Sequence, residues 1–542
     1  MRKRFPTAFA ITSSMLFIVS LIYVSTDMAG ELGVERGGGG SATVEHERIV
    51  NVDAAMRYSV SGGDDIRRMR RYFQGASWET PILPETWQRL QPLGITRVRL
   101  INVESRRSLI KQSEAEATAF DFSKLRTALD DCRKYRLLPH VVVGQLMPAG
   151  LSNGSGDRGA GGVFESRAYK AYAYALLRFV VVDQGFSSGT FEVGNEPDTT
   201  GAGWLLQQQQ QNGSLAAYKA YFQIYTAWAH AASRLSHEYP AATFRLGGPA
   251  ITPYTLAYGQ VDWAKQFAKD VAGNKLRLDF FSFHSYGDQE ALPGAQAFGP
   301  YPPFAQRVKY YRTLLASVGL AHVPLYVTEW GASADVGASD AEPINGNEVG
   351  AAWSARFLLA MAEQRIDDGM LLVLRDEFAA RGRGENWAWP AFLLSDGLTP
   401  KPLYNTALMF SKMAAQRVRV SGDDPTARVI ASVDGSRVTM IVVKSDWDFQ
   451  SKTDKAQLER LTLIVHHLPF PAGNVRVSRY LIDSTHSNPY THRLANQPLD
   501  DARAGFTQVD VSNVPVVAGT VILPAISIPR SSVTFIEIPD IK

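Results

Sequence analysis

Between residues 48 and 415 short apolar, β-branched runs alternate with amphipathic helical patterns, and few folds accept such a chain. The strand-like runs are 49–52, 94–101, 138–144, 189–193, 244–249, 279–284, 324–329 and 370–374. The longest helical pattern, Ser214 to Tyr239, carries Tyr218, Phe222, Tyr225 and Trp228 on one stripe. Apolar runs of this kind belong to strands covered on both faces, as in a parallel sheet under helices. Eight repeats over this length predict a closed (β/α)8 TIM barrel rather than an open sheet.

After about Gln416 the period changes. Runs such as 427–433, 438–443, 461–465, 475–480 and 533–538 are short strands separated by turn residues, and helical signals nearly vanish. The fold class expected is therefore α/β, a (β/α)8 barrel over 47–415 followed by a C-terminal antiparallel β-sandwich over 416–542. A chain of 542 residues is too long for one ordinary core, which agrees with two domains.

Ahead of the barrel, Arg2, Lys3 and Arg4 precede an uncharged run from Ala8 to Val24. Residues 1–29 read as a signal peptide or signal-anchor, and 30–46, with Gly37-Gly38-Gly39-Gly40-Ser41, as a flexible linker. Both readings export the rest of the chain: an anchored protein would sit on the periplasmic face of the inner membrane, a cleaved one would be secreted. A net charge of +3 gives no support to nucleic-acid binding. The one cysteine, Cys132, shares a helical stripe with Leu125 and Leu129 and reads as a core residue. No spacing suggests a metal site or a cofactor. Nothing in the composition sets an oligomeric state.

Two runs end alike. Phe191-Glu192-Val193-Gly194-Asn195-Glu196-Pro197 is an apolar strand stopped by a proline that cannot donate to a ladder and that disfavours helix at Glu196. Leu325-Tyr326-Val327-Thr328-Glu329-Trp330-Gly331 again delivers one glutamate at a strand exit. Barrel chemistry sits at strand carboxyl ends, and two carboxyls presented there are the minimum apparatus for breaking a glycosidic bond. An isolated strand-end glutamate is by default a surface acid; the two contexts together reverse that reading.

These runs, with Phe283-His284-Ser285-Tyr286, Gly247-Gly248-Pro249-Ala250, Lys401-Pro402-Leu403-Tyr404-Asn405 and the 479–488 segment, resemble the retaining glycoside hydrolases of clan A, and most of all glycoside hydrolase family 39. The resemblance implies Glu196 as general acid/base and Glu329 as nucleophile, about 5–5.5 Å apart. It implies Arg99, His284 and Tyr286 as donors to Glu329, Asn195 as a contact to the sugar hydroxyl beside the reacting carbon, and Trp330, Trp387 or Trp389 as a stacking floor. Glu104, Asp288, Asp376 and Glu377 read as solvated or substrate-contacting acids.

Three departures alter the expected sugar pocket. Residue 194 is glycine where the family usually has tryptophan, which suggests open space beside the acid. Ile101-Asn102 replace a sugar-contacting histidine, and the eighth strand ends Leu374-Arg375-Asp376-Glu377 without the usual tryptophan. Xylosidase or iduronidase activity is therefore not carried over. The expectation is a retaining glycosidase acting on β-linked glycosides of an oligo- or polysaccharide. The alternatives are a catalytically silent polysaccharide-binding barrel in a secretion system and a transglycosylase.

Overall fold

The computed structural model describes residues 46–58, 65–77, 82–101, 103, 109–111, 119–145, 167–199, 213–253, 261–287, 303–334, 344–376, 387–449, 453–455, 459–470, 473–494 and 504–540. Residues 1–45, on which the expected signal or signal-anchor and nearly all of the expected linker fall, lie outside these, as do Asn102, Glu104, Asp288 and Glu377. Among the described residues no helix is long and apolar enough to cross a membrane.

Eight parallel strands close into a barrel. In chain order they are Gln74–Ser77, Arg97–Leu100, Leu138–Val143, Thr190–Val193, Arg245–Ile251, Phe280–Tyr286, Leu325–Gly331 and Asp368–Leu371. Helices follow most strands, among them Ser123–Tyr135, Ser214–Glu238, Trp263–Gly273, Phe304–Ser317, Glu348–Glu363 and Pro402–Lys412. Side chains alternate along each strand. Val98, Leu100, Val141, Val143, Phe191, Val193, Phe281 and Phe283 face outward and join the core built with the helices. The intervening positions, Arg99, His140, Glu192, Ser282 and His284, are polar and fully buried. Half of each apolar-looking run thus makes the core, and the other half lines the barrel axis with charge.

The expected first strand is corrected. Residues 49–52 belong to strand His46–Arg57, which pairs antiparallel with Gln416–Ser421 and parallel with Glu459–His466 in the second domain's ten-stranded sheet. The barrel starts instead at Gln74–Ser77, four residues too short and glycine-containing to stand out as a periodic run. The first strand of the chain has alternating buried Val50, Val52 and Ala54, which pack with Val418, Val442 and Leu463. That period-two pattern is the mark of a sheet with one buried face, not of a barrel strand. By pairing with both Gln416–Ser421 and Glu459–His466 it folds the sheet back on itself around that core.

Cys132 is buried as expected, and burial pushes its thiol up to about 12, so it is not a nucleophile at neutral pH.

Candidate active site

Glu196 is delivered by a turn with unusual backbone geometry. The fourth strand ends at Val193, and the chain then passes through Gly194 at φ 92° and Glu196 at φ 47°. Left-handed φ at a glutamate is costly and persists only where neighbours hold it. Here the Glu196 N–H donates to the Ala250 carbonyl at 3.0 Å, and the Tyr221 hydroxyl donates to the Val193 carbonyl at 2.8 Å. Position 194 is therefore not open space. A Cβ there would lie 2.9 Å from Tyr221 Cε2, so the room that the sequence suggests is filled from the helix Ser214–Glu238.

Glu329 reaches the interior through a bulge. Val327 pairs with Phe283 but Glu329 pairs with His284, so Thr328 is an extra residue in the seventh strand. Tyr326 points inward, stacked on Phe280 at 4.6 Å, while Val327 points outward. Strict alternation would then send Glu329 outward. The extra residue turns it to the axis and turns Trp330 to the helices. Trp330 is fully buried, donates Nε1–H to the Tyr72 carbonyl at 3.3 Å and packs on Phe357. It is not part of a sugar floor, and the bulge is the reason.

One guanidinium joins the barrel's acids. Arg99, fully buried, donates from Nε to Glu192 Oε2 at 2.7 Å, from Nη1 to Glu329 Oε1 at 2.7 Å and from Nη2 to Asn195 Oδ1 at 2.8 Å. Tyr286 donates its hydroxyl to Glu329 Oε2 at 2.9 Å. His284 Nδ1 lies 2.9 Å from Glu196 Oε1 and 3.3 Å from Glu329 Oε2. Burial opposes a charge on His284, but Glu329 and Glu196 outweigh it and raise the imidazole above its ordinary value. Arg307, also fully buried, fixes this histidine from behind by donating to the His284 carbonyl at 3.0 Å.

Glu196, His284 and Glu329 each place an atom within 4.8 Å of the others. A metal could be held at such spacing, but both oxygens of Glu329 already accept bonds, one of them from a guanidinium that repels a cation. The set suits a shared proton. Two carboxyls this close lie on the short side of the retaining spacing and well inside the inverting one.

The structure thus brings together Glu196, Glu329, Arg99, Asn195, His284 and Tyr286. Trp387 is buried with its ring at 5.4 Å from Tyr490 and under the Arg493 guanidinium. Trp389 packs with Ile101, Val142, Leu372, Val373 and Ala391 at the barrel mouth. Asp376 is buried rather than solvated, its N–H bonded to the Leu393 carbonyl at 2.9 Å.

Sequence reasoning passed over Glu192. Burial alone would raise its carboxyl, but Arg99 first and then His140, 3.4 Å away, hold it well below the ordinary carboxylate range. The signal was legible: a charged residue inside a strand buried at every position must face the axis and needs a cation there.

A closed (β/α)8 barrel with two carboxylates converging at the strand carboxyl ends has the groups that breaking a glycosidic bond requires. The family model described as glycosyl hydrolases family 39 matches residues 75–498. The chain belongs to this family and is a retaining glycoside hydrolase. No curated protein matches it by sequence. Among solved structures, it is similar to a family 39 enzyme from Xanthomonas axonopodis pv. citri at 19% identity, with TM-score 0.69 over 93% of this chain and 99% of that one. A monomeric beta-xylosidase from Caulobacter crescentus CB15 is 17% identical, with TM-score 0.66 over 91% and 100%. A glucosidase from Croceicoccus marinus is 16% identical, with TM-score 0.63 over 92% and 100%. At these identities the likeness to solved structures speaks to fold alone.

Proposed function

We propose that the protein hydrolyses β-linked glycosides within an exported polysaccharide by double displacement, with Glu329 as nucleophile and Glu196 as acid/base. The observation that carries the roles is the asymmetry between the two acids. Glu329 accepts hydrogen bonds from Arg99 and Tyr286, whereas the side chain of Glu196 is hydrogen-bonded to His284 alone among the described residues and is 15% exposed. In the first step a Glu329 oxygen bonds the anomeric carbon as the glycosidic C–O bond breaks, and the Glu196 proton passes to the leaving oxygen. In the second, water attacks that carbon, gives a proton to Glu196 and releases the Glu329 carboxylate. Arg99 holds the Asn195 oxygen, which leaves the amide NH2 as the group for a sugar hydroxyl.

The polysaccharide part of the proposal rests on the charged-then-apolar start of the chain and on the altered sugar pocket. The expected site is the periplasmic face of the inner membrane, or outside the cell if the segment is cleaved. The silent-barrel alternative drew on Gly194, and Tyr221 filling that position removes its support. Purified protein, residues 42–542, incubated with a panel of polysaccharides and aryl β-glycosides, with and without an acceptor sugar, tests the whole reading by mass spectrometry of products. Shortened polysaccharide is expected. Cleavage of aryl glycosides only would remove the polymer, and products extended by the acceptor would make the enzyme a transglycosylase.

A further inference from the structure

Arg99 is a single cation held between two acids, and the two displacement steps leave one of those acids without a task. Glu192 is fully buried on the fourth strand, beside Val142 of the third and Gly247 of the fifth. Its Oε2 accepts the Arg99 Nε–H at 2.7 Å, and its Oε1 has no hydrogen-bond partner among the described residues. Among those residues it is the one carboxylate besides Glu329 that bonds the guanidinium.

An arginine fork is rigid and planar, so a bond to Nε fixes where both terminal nitrogens point. With Nε on Glu192, Nη1 falls on Glu329 Oε1 at 2.7 Å and Nη2 on Asn195 Oδ1 at 2.8 Å. The charge is divided as well as aimed. A carboxylate facing an unshared guanidinium is held strongly ionised and is a weak base; one that shares its cation with a second carboxylate keeps more of its basicity. The other groups nearby do not replace Glu192 in this. Facing Glu329 are Tyr286, which donates at 2.9 Å, His284 and Glu196. Facing Glu192 is His140, whose imidazole is lowered by burial, and beyond it Arg97 is paired with Asp368.

We propose that Glu192 is a positioning residue that sets how basic the nucleophile is, by aiming the Arg99 fork at Glu329 and sharing its charge. The proposal rests on the reading of Glu329 as nucleophile. Its consequence has opposite signs in the two steps. In the first, a Glu329 oxygen gives an electron pair to the anomeric carbon as the glycosidic C–O bond breaks, and Glu196 protonates the leaving oxygen. In the second, that pair returns to Glu329 as water bonds the carbon and loses a proton to Glu196. A less basic carboxylate attacks more slowly and leaves faster.

The test is Glu192→Gln in the full chain, which keeps the shape and an acceptor for the Nε–H but removes the charge. The probe is a 2,4-dinitrophenyl 2-deoxy-2-fluoro β-glycoside of the sugar turned over fastest, with formation and decay of the glycosyl-enzyme followed by intact mass. Formation is expected to slow about tenfold, decay to quicken about threefold, and the acid limb of kcat/KM to lie about one pH unit lower. Glu196 does not bond Arg99, so the alkaline limb moves less. A merely structural acid would be replaced by glutamine with that limb unmoved, or its loss would slow both steps alike; either result overturns the proposal. An adduct absent from the wild type would overturn the nucleophile itself and this proposal with it, an outcome distinct from a wild-type adduct whose decay Glu192→Gln leaves unchanged. Should Glu192→Gln fail to fold, Glu192→Asp carries the same test: it keeps the charge but draws it back by one methylene, and the same opposed changes are expected at smaller size.

Discussion

Replacing Arg99 by methionine tests the electrostatic design of the barrel interior. The aliphatic stem is roughly kept, so little cavity forms, but three hydrogen bonds of 2.7, 2.7 and 2.8 Å disappear. Glu192 and Glu329, 0% and 5% exposed, are left without their cation. Removing one partner of a buried ion pair costs about 3–5 kcal/mol, because the other charge stays buried and uncompensated. Against a total stability of about 5–15 kcal/mol that is a large share. The cost must also depend on pH with a definite sign. In the wild type burial would raise Glu192, but Arg99 holds it far below the carboxylate range. Its contribution is therefore complete above the unfolded value of about 4.5 and is lost only as pH falls through the depressed folded value. Without Arg99, burial raises Glu192 instead, and the carboxyl escapes the penalty by taking up a proton as the solution is acidified. The gap between wild type and Arg99→Met in urea unfolding is thus expected to be widest near pH 8 and to narrow by pH 5. A gap below about 1 kcal/mol, or one equal at both pH values, would refute the reasoning.

Other outcomes follow from the same geometry. Glu196→Ala should lower kcat/KM on substrates with poor leaving groups by about 10²–10⁴, and azide should restore turnover of activated aryl glycosides as the glycosyl azide; equal loss on all substrates without rescue contradicts the role. Gly194→Trp, which restores the family's usual residue, should destabilise by about 1–3 kcal/mol from overpacking against Tyr221, beyond the left-handed strain at φ 92°. Combining it with Tyr221→Ala should recover part of that loss in thermal unfolding. His140 is fully buried, and burial, with Arg99 and Arg97 adding to it, lowers its imidazole below the ordinary value in spite of Glu192. The unfolded chain therefore takes up the proton first, and stability falls by up to about 1.4 kcal/mol per pH unit as pH drops below about 6.5. His140→Gln should flatten that part of the curve, and an unchanged slope would show the histidine to be charged in the folded state.

Much of the fold was legible because barrel strands and helices differ in period. The Ser214–Glu238 helix and the glutamate-bearing strands fall where the apolar spacing put them. Two failures have physical causes. Residues 49–52 read as a barrel strand because a short run does not state its partner; that pairing, with 416–421 and 459–466, is set by contacts remote in sequence. Trp330 reads as one of three candidates for a sugar contact, and it turns away because a one-residue bulge at Thr328 reverses the facing of everything after it, which no local propensity announces. Arg99, His284 and Tyr286 were found through the resemblance. Glu192 could have been found from physics alone, since an acid in a strand buried at every position demands a partner.

The central claim is that Glu329 attacks sugar carbon. A 2-deoxy-2-fluoro aryl β-glycoside slows the second step more than the first, so the covalent intermediate should accumulate. Intact mass should rise by one fluorosugar, and peptide mapping should find it on Glu329, with no adduct on Glu329→Gln. A sugar attached to Glu196 or Glu192 instead, or product released with inverted anomeric configuration and no adduct, would contradict the account.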